Sequence, residues 1–135
     1  MRNGGKWTEA RYVAFVKGAL RSASNRWPPK HVCRKAANVK RGYYRCAGFQ
    51  TKPHIVTATL KKRGSKVRIK NVFVDHITPV VGPGGFTSWD EFISNLYCEI
   101  DNLQVLCKAC HDAKSKAEKE ERKKYGTGTK RRVSA

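Results

Sequence analysis

The sequence has little negative charge. Ten Asp and Glu stand against 29 Lys and Arg, which leaves a formal net charge of +19 on 135 residues, a length that suits one compact domain. The basic residues are not confined to one end, because residues 21–41, 61–70 and 114–132 are each rich in Lys and Arg. Several basic stretches in so short a chain indicate a surface that binds a polyanion. Charge alone therefore predicts a nucleic-acid partner and says nothing about chemistry.

The sequence also lacks long hydrophobic runs. No stretch approaches the roughly 20 apolar residues that a membrane-spanning helix needs. The apolar run at residues 12–16 lies between Arg11 and Lys17, and it is shorter than the ~7 to 15 residues of a signal-peptide core. We therefore expect no membrane partner and a cytoplasmic location. The five cysteines are an odd number, which in such a compartment indicates thiols or metal ligands rather than a disulfide framework.

The pattern of apolar and turn-forming residues predicts an α+β fold. Thr8 is the expected N-cap of the first helix, and Pro28-Pro29 is expected to end it. Ser88 and Glu91 form the pattern of a capping box at the start of a later helix. The predicted elements are a helix over about 7–26, a mixed region at 30–42, strands at 55–60 and 67–74, a helix over about 88–98, a strand at 103–106 and a helix from about 110 to 125.

Three groups of polar residues are candidates for chemistry: Asp75-His76 at the end of a predicted strand, Asn102 before the next strand, and His111 at the start of a helix. Each is ambiguous alone. An Asp-His pair is usually an ordinary turn, Asp101-Asn102 could bond its own backbone, and His111 could simply be exposed. Their order and spacing together are far more specific than any one of them.

The segments VDHITP at 74–79 and NLQVLCKACH at 102–111 closely resemble the signature of the HNH endonuclease family. The order of a strand with Asp-His, a long loop, a strand with Asn and a helix with His is similar to the ββα-metal fold of that family. The resemblance covers about residues 70–118. Further similarity to the small free-standing HNH enzymes of tailed bacteriophages lies in Trp7, RWPPK at 26–30 and GFTSWD at 85–90.

The resemblance implies an endonuclease that hydrolyses phosphodiester bonds of double-stranded DNA and leaves 5′-phosphate and 3′-hydroxyl ends. It implies that His76 is the general base, that Asp75 and His111 hold a catalytic divalent ion, and that Asn102 fixes a loop and orients His76. A histidine suits the first role because its pKa lies near neutrality. One Asp and one His leave most coordination positions to water and DNA, which suits Mg²⁺ or Mn²⁺. A monomer or weak dimer with one such centre would nick one strand.

The expected organisation is a basic helical region with a β-hairpin (1–69), an HNH ββα-metal, treble-clef-like core (70–125) and a disordered basic tail (126–135) with two glycines. One local conflict arises within the core. Adjacent residues of a regular strand point to opposite faces, so Asp75 and His76 are expected where the strand ends or bulges.

Cys107 and Cys110 form a second metal signal, because Cys-x₂-Cys is the spacing of half a tetrahedral zinc site. HNH enzymes with this ending usually have an earlier Cys-x₂-Cys pair. This sequence departs from that pattern, since Cys46 is present but position 49 is Phe49. We predict a structural Zn²⁺ held by Cys46, Cys107, Cys110 and a fourth ligand that is His54, Cys33 or Cys98. His54 is preferred, because Cys98 is expected to be a packed thiol on the 88–98 helix.

Two other classes of protein remain open from the sequence. A non-catalytic zinc module that binds DNA or RNA would explain the charge and the cysteines, but not Asp75-His76 and Asn102. A structural protein of a nucleic-acid assembly would rest on the charge alone.

Overall fold

Four helices and three small antiparallel sheets make up the fold, as a computed structural model describes it for the backbone of residues 2–134 and the side chains of residues 2–125. The helices are α1 (Glu9–Ser24), α2 (Pro28–Ala37), α3 (Trp89–Leu96) and α4 (Lys108–Ser134), with a 3₁₀ turn at Ile100–Asn102. The strands are β1 (Asn38–Lys40), β2 (Tyr43–Cys46), β3 (His54–Thr57), β4 (Thr59–Lys61), β5 (Arg68–Lys70), β6 (Val72–His76) and β7 (Leu103–Cys107). The predicted α+β class is confirmed. The sheets are β1-β2-β3, β4-β5 and β6-β7.

Helices α1 and α2 follow each other closely. The predicted cap is confirmed, since the Arg11 amide donates to Thr8 Oγ1 at 3.2 Å. Pro28 was expected to end the first helix, but α1 already ends at Ser24 and Pro28 is the first residue of α2. Proline suits this position because the first turn of a helix has no acceptor for its N–H groups.

The two long strands expected from the sequence are each divided. The stretch 55–60 splits into β3 and β4, and the stretch 67–74 splits into β5 and β6, which belong to different sheets. Buried Asn71 lies at the division: its amide nitrogen Nδ2 donates to the Thr57 carbonyl at 2.9 Å, and its oxygen Oδ1 accepts from the Lys108 amide at 3.1 Å. One side chain thereby connects the start of α4 to the end of β3.

The antiparallel pair of β6 and β7, followed directly by α4, lies at the centre of the molecule. The strands pair in regular antiparallel register, Asp75 opposite Gln104 and His76 opposite Leu103. Val72, Leu103 and Val105 from this pair form a buried cluster with Cys33 of α2. The predicted boundary after residue 69 falls within β5. The amide of Ala47, the residue after β2, donates to the carbonyl of Val105 in β7 at 2.8 Å.

Helices α3 and α4 differ in length from the prediction. α3 begins after Ser88, whose Oγ accepts from the Glu91 amide at 3.2 Å, and ends at Leu96, so Cys98 does not lie on it. α4 is assigned as Lys108–Ser134, and the predicted disordered tail at 126–135 lies outside the residues whose side chains the structure describes. Within the described part of the chain, no helix has both the length and the apolar composition of a transmembrane span.

Candidate functional site

Three of the four residues singled out from the sequence line one cleft. Asp75 and His76 come from the end of β6 and His111 from the first turn of α4, and the space between them is about 260 Å³. Three charged residues that the sequence analysis did not predict also line this cleft: Arg21 from α1, and Glu118 and Arg122 from α4. Asn102 does not line it.

Asp75 is held from two sides. Its Oδ2 accepts a hydrogen bond from Gln104 Nε2 at 3.1 Å and lies 3.1 Å from the ammonium of Lys114. Only 14% of the Asp75 side chain is exposed. Since both contacts use Oδ2, the other oxygen, Oδ1, is the one that could ligate a cation. The carboxylate is therefore fixed in orientation before any ligand arrives.

His76 is turned toward a different element. Its Nε2 lies 2.9 Å from the carbonyl oxygen of Leu96, at the end of α3. A carbonyl can only accept, so Nε2 carries the proton and Nδ1 of the neutral ring has the lone pair. Burial lowers the pKa of His76, and the positive charges of Lys30 and Arg21 act in the same direction. The ring is thus held mainly in its neutral form, with Nδ1 able to accept a proton.

The expected conflict between adjacent strand residues is resolved at the strand end and not by a bulge. His76 is the last residue of β6, and the pairing is regular up to it. Asp75 contacts Lys114 of α4, and His76 contacts the Leu96 carbonyl at the end of α3. Both residues line the cleft.

Asn102 contacts the loop that follows His76. Its Oδ1 accepts from the Thr78 amide at 2.9 Å and its Nδ2 donates to the Thr78 carbonyl at 3.4 Å. Its own carbonyl accepts from the Ile77 amide at 2.9 Å. These three bonds extend the β6-β7 pairing past the end of the strands, so Asn102 acts on His76 through the backbone and not by direct contact.

Lys114 links both halves of the Asp-His pair. Its Nζ lies 2.9 Å from the carbonyl oxygen of His76, 3.1 Å from Asp75 Oδ2 and 2.6 Å from Glu118 Oε1, and only 9% of its side chain is exposed. Burial opposes the charged form, yet the hydrogen bonds to Glu118 and Asp75 outweigh it and raise the pKa of Lys114. Two carboxylates thus balance one buried ammonium.

His111 stacks on Phe73. The ring centroids are 4.7 Å apart with an interplanar angle of 17°, and a third of the His111 side chain, 33%, is exposed. The stacking fixes the plane of the imidazole while one edge stays accessible from the cleft. Its Nδ1 lies 3.8 Å from Asp112 Oδ1, which leaves Nε2 as the nitrogen suited to a ligand in the cleft.

A second group of side chains could hold a metal ion such as zinc. The ligand atoms of Cys46, His54, Cys107 and Cys110 all lie within 4.8 Å of one another. Sulfur atoms at ~2.3 Å from a tetrahedral zinc are about 3.8 Å apart, so a small contraction would complete the site. Three thiols and one imidazole are a donor set that zinc accepts.

The surroundings of this Cys/His group favour a cation. His54 Nδ1 lies 3.0 Å from the Lys52 carbonyl, so Nδ1 carries the proton and Nε2, 3.6 Å from Cys107 Sγ, has the lone pair. The amides of Gly48 and Cys107 both donate to Cys46 Sγ at 3.3 Å. Burial nonetheless raises the pKa of Cys46 to about 11. Without a cation this thiol keeps its proton, and a metal ion would release it.

The other two candidates for the fourth ligand lie elsewhere. Cys33 belongs to the buried cluster with Val72, and Cys98 packs against that cluster. The carbonyl of Cys98 accepts from Trp27 Nε1 at 2.7 Å. Of the three residues named from the sequence, the structure therefore groups only His54 with the three cysteines.

The residues of α4 that line the cleft or contact Asp75 share a periodic signal in the sequence. His111, Lys114, Glu118 and Arg122 are spaced by three, four and four residues, which places them along one face of a helix. The helical period of α4 would have predicted that they share the cleft side. Arg21 had no such signal, because its position depends on how α1 packs against the rest of the molecule.

Comparison with known proteins gives no relative: no family model, curated protein or solved structure matches this chain.

Proposed function

We propose that this protein is a metal-dependent endonuclease of the HNH type that nicks double-stranded DNA. The observation that carries the proposal is that Asp75, His76 and His111 line one cleft although they come from a strand and a helix. Arg21 and Arg122 line the same cleft and supply positive charge where a phosphate would enter. This combination supports phosphodiester chemistry more directly than the overall charge does.

The donor set of the cleft fits a hard divalent ion. Oδ1 of Asp75 and Nε2 of His111 would hold it and leave the other positions to water and phosphate oxygens, as Mg²⁺ and Mn²⁺ prefer. When bound, the ion would supply positive charge to the scissile phosphate and to the departing oxygen. Lys114 already places a positive charge on Asp75 Oδ2, and Glu118 offsets it, so the cation would not face an uncompensated ammonium.

The protein's own residues have separate roles in the proposed mechanism. Nδ1 of His76 accepts a proton from a water molecule, the water oxygen bonds to phosphorus, and the bond from phosphorus to the 3′ oxygen breaks. The 3′ oxygen leaves and takes a proton from solvent, which gives 5′-phosphate and 3′-hydroxyl ends. Arg21 and Arg122 bind non-bridging phosphate oxygens. Lys114 holds the carbonyl of His76, and Asn102 holds the backbone of the two residues that follow it.

The Cys46, His54, Cys107 and Cys110 group would bind a structural Zn²⁺ in this proposal. It joins the end of β2 and the start of β3 to the end of β7 and the first turn of α4. Because His111 directly follows Cys110 in that turn, a cation at this site would fix the start of the helix and thus the position of His111. Its role is structural, since all four positions of a tetrahedral zinc are occupied by protein atoms.

The proposed activity predicts conversion of supercoiled plasmid to open circles when the purified protein is incubated with Mg²⁺ or Mn²⁺. Chelation with EDTA should abolish the conversion. Linear product should appear only late, because one centre cuts one strand at a time. The products should be substrates for a ligase, since ligation requires 5′-phosphate and 3′-hydroxyl ends.

The alternative of a non-catalytic zinc module makes the opposite prediction in the same assay. It would retard the plasmid in a gel but would leave it supercoiled with either metal. Binding without conversion over a range of pH and metal concentration would overturn the endonuclease proposal and favour the module.

A further inference from the structure

A second surface of the molecule carries strong positive charge that the cleft does not use. A groove of about 470 Å³ runs between α2 and the turn that joins β1 to β2, and we call it the α2 groove. The side chains that line it and matter here are His31, Arg34, Lys35, Asn38, Arg41 and Tyr44. Three are cationic at neutral pH and none is acidic.

No acidic side chain lines the α2 groove. Residues 10–74 contain neither Asp nor Glu, although Lys and Arg recur throughout. Among the described residues, Arg34, Lys35 and Arg41 form no ion pair, whereas other basic residues such as Arg2 and Lys108 do. Uncompensated charge lowers the stability of the folded chain. The groove therefore has the electrostatics of a surface completed by an anionic partner.

The groove is also built to hold its cations in place. The guanidinium of Arg34 lies 4.9 Å from the centroid of the Tyr44 ring, and such cation–π contact restrains a flexible side chain. Asn38 Nδ2 donates to the carbonyls of Lys40 and Tyr43, which fixes the turn that presents Arg41. Gly42 follows with φ of +82°, a conformation that favours glycine and sharpens this turn.

α2 turns its basic face away from the core. Cys33 and Ala37 pack into the buried cluster with Val72. His31 and Lys35 are four residues apart and lie one above the other on the opposite, exposed side of the helix, and the half-buried Arg34 lies between that side and the core. The ten residues of α2 extend about 15 Å. At 3.4 Å of axis per phosphate on one strand, that length matches about four phosphates.

The start of α2 connects the groove to the cleft. Lys30 Nζ donates to Ser24 Oγ at 3.0 Å, and Ser24 Oγ donates in turn to the carbonyl of Arg21 at 2.6 Å. Arg21 lines the cleft. Positive charge thus continues from Arg21 and Lys30 along the helix to Arg41, with no acidic residue in that part of the sequence.

We infer that the α2 groove binds the phosphate backbone of duplex DNA on one side of the bond to be cut. The choice of DNA as the polyanion rests on the proposed function. That the groove binds phosphates rests on its own cations and on the absence of acidic residues from its lining. Contacts of this kind position the duplex and do not read its sequence. Their removal should weaken binding by a similar factor on all sequences.

The test compares two triple variants that lose the same charge. The groove variant is Arg34→Gln, Lys35→Gln and Arg41→Gln. The control variant is Lys6→Gln, Lys52→Gln and Lys66→Gln, three exposed residues outside the groove. Binding of a fluorescent 20-base-pair duplex is measured by anisotropy at several salt concentrations, in a buffer with neither chelator nor added Mg²⁺ or Mn²⁺, and thermal melting checks that both variants fold.

We expect the groove variant to reduce the slope of log affinity against log salt by about two to three units, and the control by less than about one. Equal slopes for the two variants would overturn the proposal, because they would indicate a diffuse charge effect. An effect of the groove variant on duplex RNA but not on duplex DNA would overturn the choice of partner. Since binding is measured without the catalytic ion, an inactive protein can still show the groove effect and an active nuclease can still lack it.

Discussion

Replacing His76 by alanine is expected to reduce nicking of supercoiled plasmid by at least about 10²-fold, within the ~10² to 10⁴ typical of a lost general base. In the proposed mechanism Nδ1 of His76 accepts the proton of the attacking water, since Nε2 is engaged with the Leu96 carbonyl. The variant should melt near the temperature of the parent protein and, without added Mg²⁺ or Mn²⁺, bind DNA with unchanged affinity. Initial rates of nicking at saturating Mg²⁺ give the measurement.

The matched variant His111→Ala separates the two histidines by role. Its loss of nicking should be partly restored by excess Mn²⁺, because His111 would act only by holding the ion. His76→Ala should not be restored at any Mn²⁺ concentration. Near-parental cleavage by His76→Ala would contradict the assignment of the base, even if the protein cuts DNA.

The parts of the fold that could be predicted are those with a local signal. Thr8 and Ser88 cap helices where the sequence placed them, because a hydroxyl before an apolar run meets the first free amides of the helix. Asp75-His76 at a strand end, and His111 at a helix start, could likewise be placed. Their convergence on one cleft also requires α4 to pack back along β6, because the antiparallel register places Cys107, just before α4, opposite Val72 and not opposite His76.

The parts that could not be predicted depend on contacts between distant residues. The β-branched run at 67–74 reads as one strand, and only the bonds of Asn71 to Thr57 and Lys108 divide it. Lys114 reads as one of many lysines on a charged helix, yet it is buried against Asp75 and the backbone of His76. The short stretch of sequence around Asn71 or Lys114 does not indicate which distant residues these side chains contact.

The Cys/His group could be predicted from the sequence only in part. Cys107 and Cys110 carry a spacing signal, and Cys46 could be paired with them by resemblance alone. The fourth position was ambiguous from the sequence because His54, Cys33 and Cys98 were all available. The β2-β3 pairing decides it, since Cys46 lies opposite His54 in the register and both then face the turn after β7.

Loss of a zinc ligand is the second large effect that we expect. Cys110→Ser should lower the zinc content, measured by elemental analysis, from about one ion per chain to near zero. It should also lower the melting temperature by at least about 10 °C, because a structural zinc supplies several kcal/mol to a small domain. Stripping zinc from the parent protein with a strong chelator should give the same shift.

Two further variants show whether the effect comes from the ion. Cys98→Ser removes a thiol outside the group and should keep the full zinc content and nearly the parental melting temperature. His54→Cys should keep zinc, since four thiolates form an equally acceptable site, whereas His54→Ala should lose it. If His54→Ala retained the metal while Cys98→Ser lost it, the assignment of the fourth ligand would be wrong. If the parent protein contained no zinc and melted at an unchanged temperature after chelation, the group would be three packed thiols and a histidine, and the position of His111 would depend on packing alone.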